Sequence, residues 1–236
     1  MTFKCLLSAV ALTFAVAAQA AAADHLYQLN GSLADSLGGP ALTAYGGALG
    51  ADRYSFAADQ GLSLAYALGG VYTIDLAFRF DALYADSGSI YQKIIDFNSL
   101  TNDAGLYARA GSLDLYPATS SAPLLSAGVE QRLTMTRNAA ALVTVYVGGV
   151  EVLRYADVSG LANFGTSLAT FFRDDTVTGR NEAGAGSINY LRTFDRALNA
   201  TEVAGLTSPV PEPGTTVMFG AGLALLGLAA RRKANA

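Results

Sequence analysis

Residues 72–80 read YTIDLAFRF, a stretch in which apolar and polar side chains largely alternate. The same two-residue period recurs at 113–116 (LDLY), 133–136 (LTMT) and 143–147 (VTVYV). Because successive side chains of an extended chain point to opposite faces, this alternation predicts β-strands. Turn-forming pairs separate the stretches, at residues 38–39, 46–47, 69–70, 102–103, 137–138 and 148–149. Many short strands broken by turns predict an all-β fold, an antiparallel β-sandwich.

One short helix is predicted near the end of this β region. Asn199 can cap it, and Glu202 stands three residues later, as in a capping box. The helix would cover residues 200–206 and close the open end of the sandwich. The strand before it should carry Ile188, Tyr190 and Phe194 on one side and Leu191 on the other.

Residues 1–23 have the three parts of a secretory signal peptide. Lys4 is the positive charge, residues 6–18 are almost entirely apolar, and Ala18-Gln19-Ala20 is a cleavage site, with residues 21–23 as a second option. The alternative is a membrane anchor, but a membrane span needs about 20 apolar residues and this run is shorter. The sequence therefore predicts export.

The C-terminal segment, residues 209–236, has a different composition. Pro211-Glu212-Pro213 is followed by an uncharged apolar run at 215–230 and then by Arg231-Arg232-Lys233. As a helix this run would be about 24 Å long and could cross a bilayer upright. The basic cluster should stay on the cytoplasmic side, with the body outside. The alternative, a C-terminal core helix, is weaker because the run has no polar face.

This tail resembles the PEP-CTERM sorting signal of Gram-negative bacteria over residues 210–233. The resemblance implies an exosortase as partner, which recognises Pro211, Glu212 and Pro213, with Arg231 and Arg232 forming the basic end. It also implies a passage through the inner membrane, where the helix anchors the chain before processing. The final location would be the cell surface or the extracellular polysaccharide matrix.

What remains is one predicted domain, residues 24–208. The two ends contain four of the 15 basic and one of the 19 acidic residues, which leaves the body with a net charge of −7. This charge argues against nucleic acid as a partner. Cys5, the sole cysteine, lies in the signal peptide, so the body cannot form disulfides.

The body resembles the LamG, or concanavalin A-like, jelly roll of exported bacterial proteins. The resemblance rests on four stretches in order: residues 26–36, the strand 72–80, the hairpin 131–152 and the ending 186–206, with its Asp195-Arg-Ala-Leu198 motif. Gly148 and Asn189 stand where the family more often has Asn and Asp. The resemblance implies binding of polysaccharide or protein, and frequently one Ca²⁺ at the rim.

Catalysis has little support in the sequence. His25 is the only histidine, which argues against Ser-His-Asp triads, Cys-His dyads and zinc sites built on His and Cys. Glucanases of this fold carry paired glutamates in a Glu-x-Asp-x-Glu strand, and no two glutamates of the body are four residues apart. We therefore expect no enzymatic activity.

A calcium site has more support in the sequence than an active site. Calcium takes about six to eight oxygen ligands from carboxylates, amides and carbonyls. Two groups could contribute: Asp174, Asp175 and Glu182, and separately Asp96 and Asn98 with Asn102 and Asp103. Adjacent aspartates could both ligate only if their strand has already ended in a loop. The alternative is that these residues simply form turns.

A carbohydrate site usually needs aromatic side chains against the faces of the sugar rings. The chain has no Trp, but 12 Tyr, of which Tyr84, Tyr91, Tyr107 and Tyr116 are predicted near strand or loop ends. No sugar site can be named from these positions alone. Three functions therefore stay open: binding of polysaccharide or protein at the surface or in the matrix, which we favour, a structural matrix component without a ligand, and a glucanase-type hydrolase.

Overall fold

The computed structural model describes residues 21–84 and 90–206. They form two antiparallel sheets that share one hydrophobic core, which confirms the predicted all-β sandwich. The strands are β1 His25–Tyr27, β2 Thr43–Tyr45, β3 Ala48–Leu49, β4 Tyr54–Phe56, β5 Gly61–Ala67, β6 Tyr72–Phe80, β7 Tyr91–Asp96, β8 Gly105–Arg109, β9 Ser112–Tyr116, β10 Thr119–Pro123, β11 Gln131–Arg137, β12 Leu142–Val147, β13 Val150–Ala156, β14 Leu168–Phe171 and β15 Gly186–Phe194. A short helix, α1, spans Ala200–Gly205.

The eight-stranded sheet has the order β13-β12-β11-β6-β15-β4-β3, with β1 pairing to the second half of β15. The seven-stranded sheet has the order β10-β9-β8-β7-β14-β5-β2. In the second sheet β7, β8 and β9 are joined consecutively, so their outward side chains form one continuous surface.

The core lies between the sheets and is rich in phenylalanine. Phe172 is fully buried, stacks on Phe56 with ring centroids 4.4 Å apart, and meets Phe80 edge to face at 5.9 Å. Truncating such a side chain to alanine typically costs about 3–5 kcal/mol, because the transfer free energy is lost and a cavity remains. The core therefore needs no disulfide to hold the sheets together.

The last strand differs from expectation at one point. The register between β15 and β6 shifts between Ile188 and Tyr190, so the chain contains a bulge there. Ile188 and Leu191 consequently both belong to the core, whereas Tyr190 turns outward and donates to the buried carboxylate of Asp75. The placement of Ile188 and Tyr190 on one side was wrong, because a bulge interrupts the two-residue alternation.

The helix confirms the predicted capping box. The Glu202 N–H donates to Asn199 Oδ1 at 3.0 Å, and the Asn199 N–H donates to Glu202 Oε2 at 2.9 Å. Each side chain thus satisfies one backbone donor that the helix start would leave unpaired.

Several predicted segments lie outside the described residues. They are residues 1–20 of the signal peptide, and the sorting motif, apolar run and basic end at 209–236. Within residues 21–84 and 90–206, no helix combines the length and apolar composition that a membrane crossing requires.

Candidate functional site

The outward face of β7, β8 and β9 carries three tyrosines in mutual contact. The ring of Tyr91 lies edge to face with the rings of Tyr107 and Tyr116, at centroid distances of 5.5 Å and 5.6 Å. Tyr107 and Tyr116 meet at 6.2 Å in the same manner. Strand alternation places these side chains on the same face, because each strand sends every second residue outward. Tyr107 is fully buried, while Tyr91 and Tyr116 are partly exposed.

A pocket of about 130 Å³ opens beside these rings, lined by Tyr91, Tyr116, Asp103 and Glu182. Aromatic rings and carboxylates therefore share one concave surface. This combination suits a ligand that has both an apolar face and polar hydrogen atoms.

Both carboxyl-bearing residues of the pocket are held by hydrogen bonds. The Tyr107 hydroxyl donates to Asp103 Oδ1 at 3.1 Å and so orients that carboxyl group. Glu182 lies in the loop between β14 and β15, where its N–H donates to Asp174 Oδ2 at 2.9 Å and its carbonyl accepts from the Lys93 N–H at 2.8 Å. The pocket wall is thus tied to strand β7.

A buried ionic cluster lies beneath the pocket. The ammonium group of Lys93, whose side chain is completely buried, is 2.5 Å from Asp175, 3.4 Å from Asp174 and 3.5 Å from Asp96. Both adjacent aspartates reach it because β14 ends at Phe171 and Phe172 adopts a left-handed φ of 63°, so the loop begins before Asp174. The cluster therefore contains three acidic side chains and one basic side chain.

The electrostatic consequences appear in the pKa values of the cluster. Burial alone would lower the pKa of Lys93, but its hydrogen bond to Asp175 and the charges of the three aspartates outweigh burial and raise it. Burial raises the pKa of Asp96, although backbone N–H groups and Lys93 partly counter this. The pKa of the Tyr107 hydroxyl is also raised, first by burial and then by the charges of Asp103, Asp174 and Glu182. Lys93 accordingly stays protonated at neutral pH.

Two of the three tyrosines already hold a protein cation against the ring. The Lys93 Nζ atom is 5.0 Å from the centroid of Tyr107, and the Arg109 Cζ atom is 5.3 Å from that of Tyr91. Arg109 also lies 3.8 Å from the carboxylate of Asp114, which offsets its charge. Such placement of cations over tyrosine faces is favourable because the ring face is electron-rich.

The predicted calcium residues divide between these features. Asp96, Asp174 and Asp175 come from both sequence groups and converge on Lys93. Glu182 lines the pocket instead. Asn98 is exposed in the turn after β7, where its side-chain oxygen accepts from Ser167.

The sequence reasoning missed Lys93, although it is the only lysine between residues 24 and 208 and stands next to two isoleucines. With the ammonium group between the carboxylates, the three aspartates do not fit a calcium ion unless Lys93 moves away. In the described part of the chain, no three His, Cys, Asp or Glu side chains are arranged to hold a metal ion. Calcium binding stays a prediction.

The comparisons with known proteins add one assignment at the C-terminus. Residues 209–233 match the PEP-CTERM protein-sorting motif. This match confirms the predicted sorting signal, which implies export that depends on an exosortase. Comparison of the sequence with curated proteins finds no match.

Solved structures resemble the sandwich in fold. A sialidase from Trypanosoma rangeli superposes with a TM-score of 0.62 at 14% identity, over 78% of this chain and 32% of the sialidase. Domain 4 of AbnA, an extracellular GH43 arabinanase from Geobacillus stearothermophilus in complex with arabinotriose, superposes with a TM-score of 0.54 at 16% identity, over 79% of this chain and 98% of that domain. The chain therefore spans about a third of the sialidase's length, and at these identities the likeness concerns the fold alone.

Proposed function

We propose that this protein is exported, sorted by an exosortase through its C-terminal tail, and binds polysaccharide outside the cell with its LamG-like sandwich. The tail would hold it in the inner membrane until processing, before delivery to the cell surface or the matrix. One observation carries the binding proposal: Tyr91 and Tyr116 share a pocket with Asp103 and Glu182.

The pocket supports a glycan for a chemical reason. A sugar ring has C–H faces that pack on tyrosine rings and hydroxyl groups that donate to carboxylates. One structural relative supports the proposal further, since domain 4 of the arabinanase AbnA holds arabinotriose. The proposal is tested against two alternatives: binding of a protein surface, and a structural role in the matrix without a ligand.

We propose binding rather than catalysis for this site. Asp103 Oδ1 accepts from the Tyr107 hydroxyl at 3.1 Å, so one of the two oxygens of this carboxyl group is already engaged within the protein. Calcium, if bound, would act on the loop that carries Asp174 and Asp175 rather than on the sugar directly, since those residues lie beneath the pocket. Reducing-sugar release from β-glucans is the measurement that would identify a hydrolase instead.

The test is a glycan array probed with the purified protein, followed by titration of the best glycan against three variants. Tyr91→Ala and Tyr116→Ala should each weaken binding by about tenfold, the usual size of an aromatic anchor's contribution. Tyr45→Ala is the matched control, because Tyr45 is exposed on β2 at the other edge of the same sheet. Binding that survives both pocket variants, or no binding to any glycan, contradicts the proposal.

A further inference from the structure

We infer that the pocket selects glycans that carry protonated amines, namely amino-sugar polymers with free amino groups, over acetylated and acidic ones. This inference rests on the proposed function and adds the ligand's charge. It follows from the charges that surround the pocket and from the tyrosines that line it.

The charges around the pocket are mostly negative. Asp103 and Glu182 line it, and the cluster beneath holds three aspartates against the single ammonium group of Lys93. At the rim, the charge of Arg109 is offset by Asp114. Because acidic side chains outnumber basic ones around the pocket, entry of a cation is electrostatically favoured and entry of an anion is disfavoured.

A second, independent observation concerns the rings. Lys93 and Arg109 already place their charges over Tyr107 and Tyr91. This surface therefore stabilises cations by the ring face as well as by carboxylates. Tyr116 is the third ring of the same group and lines the pocket directly.

A sugar amine fits this arrangement better than other cations. The ring of an amino sugar can pack its C–H face on Tyr116 while its ammonium group donates to Asp103 or Glu182. A lysine side chain offers the charge without the C–H face of a sugar ring. Uronic and sialic acids offer the ring with a carboxylate, which the carboxylates of the pocket repel.

The experiment compares tetrasaccharides of glucosamine, N-acetylglucosamine and galacturonic acid by calorimetry with the purified protein, at pH 6 and low salt. At this pH an amino group of an amino sugar is largely protonated. Glucosamine tetramer should bind about five- to tenfold more tightly than its acetylated counterpart, the range expected for one or two partly exposed ion pairs. The preference should shrink at high salt.

Two isosteric variants remove one charge each. Asp103→Asn keeps an oxygen that can accept from Tyr107, and Glu182→Gln keeps its backbone hydrogen bonds, so both should fold. Each should weaken binding of the free-amine tetramer more than binding of the acetylated tetramer, and so reduce the preference for the free amine. Asp52→Asn, a loss of the same charge at an exposed site paired with Arg53, is the matched control and should keep the preference.

Equal or tighter binding of the acetylated tetramer would overturn the inference while leaving the proposed glycan site intact. Binding of the galacturonic acid tetramer with similar affinity would do the same. A lysine tetrapeptide that binds as tightly, with the same dependence on Asp103 and Glu182, would overturn it in favour of a basic peptide. If none of the three sugars binds, and the array also finds none, the proposed function itself fails.

Discussion

Lys93→Met is the substitution that most directly probes the buried cluster. Methionine has nearly the length and volume of lysine, so the change removes the charge without opening a cavity. Asp96, Asp174 and Asp175 then lose the cation on which they converge. Removing one partner of a buried ion pair typically costs about 3–5 kcal/mol, because the remaining charge is left uncompensated.

The expected loss is measurable as a melting temperature. For a domain of this size, 1 kcal/mol corresponds to roughly 2–4 °C, so Lys93→Met should melt about 6–20 °C below the wild type. Arg53→Met removes a cation from the exposed pair with Asp52 and should leave the melting temperature nearly unchanged, because solvent screens this pair.

The stability of Lys93→Met should also depend on pH, in a direction set by the pKa of Asp96. Burial already raises the pKa of Asp96, and loss of Lys93 should raise it further. A carboxyl group whose pKa is higher in the folded state than in the unfolded state destabilises the fold when ionised, so the variant should regain stability as pH falls towards 5. The wild type should show a smaller gain, because Lys93 partly counters the effect of burial on the pKa of Asp96. A variant that melts within 2 °C of the wild type at pH 7, taking about 1 kcal/mol as the smallest meaningful loss, would refute this reasoning.

The same assay tests calcium. A rise in melting temperature with added Ca²⁺ in Lys93→Met but not in the wild type would mean that the ammonium group occupies the position of a cation. A rise in the wild type would support the predicted calcium site instead.

Three further predictions concern the frame around the site. Burial alone would raise the pKa of Asp35, but hydrogen bonds from backbone N–H groups and His25 outweigh burial and lower it. The ionised Asp35 therefore stabilises the fold above about pH 4, and this contribution is lost below that pH. Asp35→Asn should flatten the acid limb of a plot of melting temperature against pH, whereas an unchanged limb would mean that other groups cause it. Asn199→Ala should cost about 1 kcal/mol in urea unfolding, because the cap to Glu202 is lost; a change under 0.3 kcal/mol, well below the usual cap range, would mean that the helix start is satisfied by water. Gly186→Ala should destabilise by about 1–3 kcal/mol in the same assay, because its Cβ would overlap the carbonyl oxygen of Arg79 on the neighbouring strand; no loss would show that the two strands can separate there without cost.

Regular strands could be predicted from the sequence because alternation is a local property. The strand predicted at residues 72–80 is β6 without a change of boundary, and the stretches at 133–136 and 143–147 lie within β11 and β12. The edge strand β2 was not predicted, since all three of its residues are exposed and carry no alternation. The bulge in β15 was missed for a related reason, as it breaks the period on which the prediction depends.

The site was less accessible to sequence reasoning. Lys93 and Asp175 are 82 positions apart in the chain, so their contact depends on β7 and β14 being neighbours in the sheet. The sequence showed the correct acidic residues in two groups, but not that both groups face one lysine. Likewise Tyr91, Tyr107 and Tyr116 were noted individually, and only the consecutive pairing of β7, β8 and β9 brings their rings together.

The position of β15 has a consequence for the timing of folding. This strand lies inside its sheet, bonded to β6 on one side and to β4 and β1 on the other, yet it is the last to be synthesised. The eight-stranded sheet thus lacks an interior member until residue 194 has left the ribosome. Folds dominated by such distant pairings also form slowly, on the millisecond to second scale. The sandwich is therefore completed only after nearly all of its described residues have been synthesised.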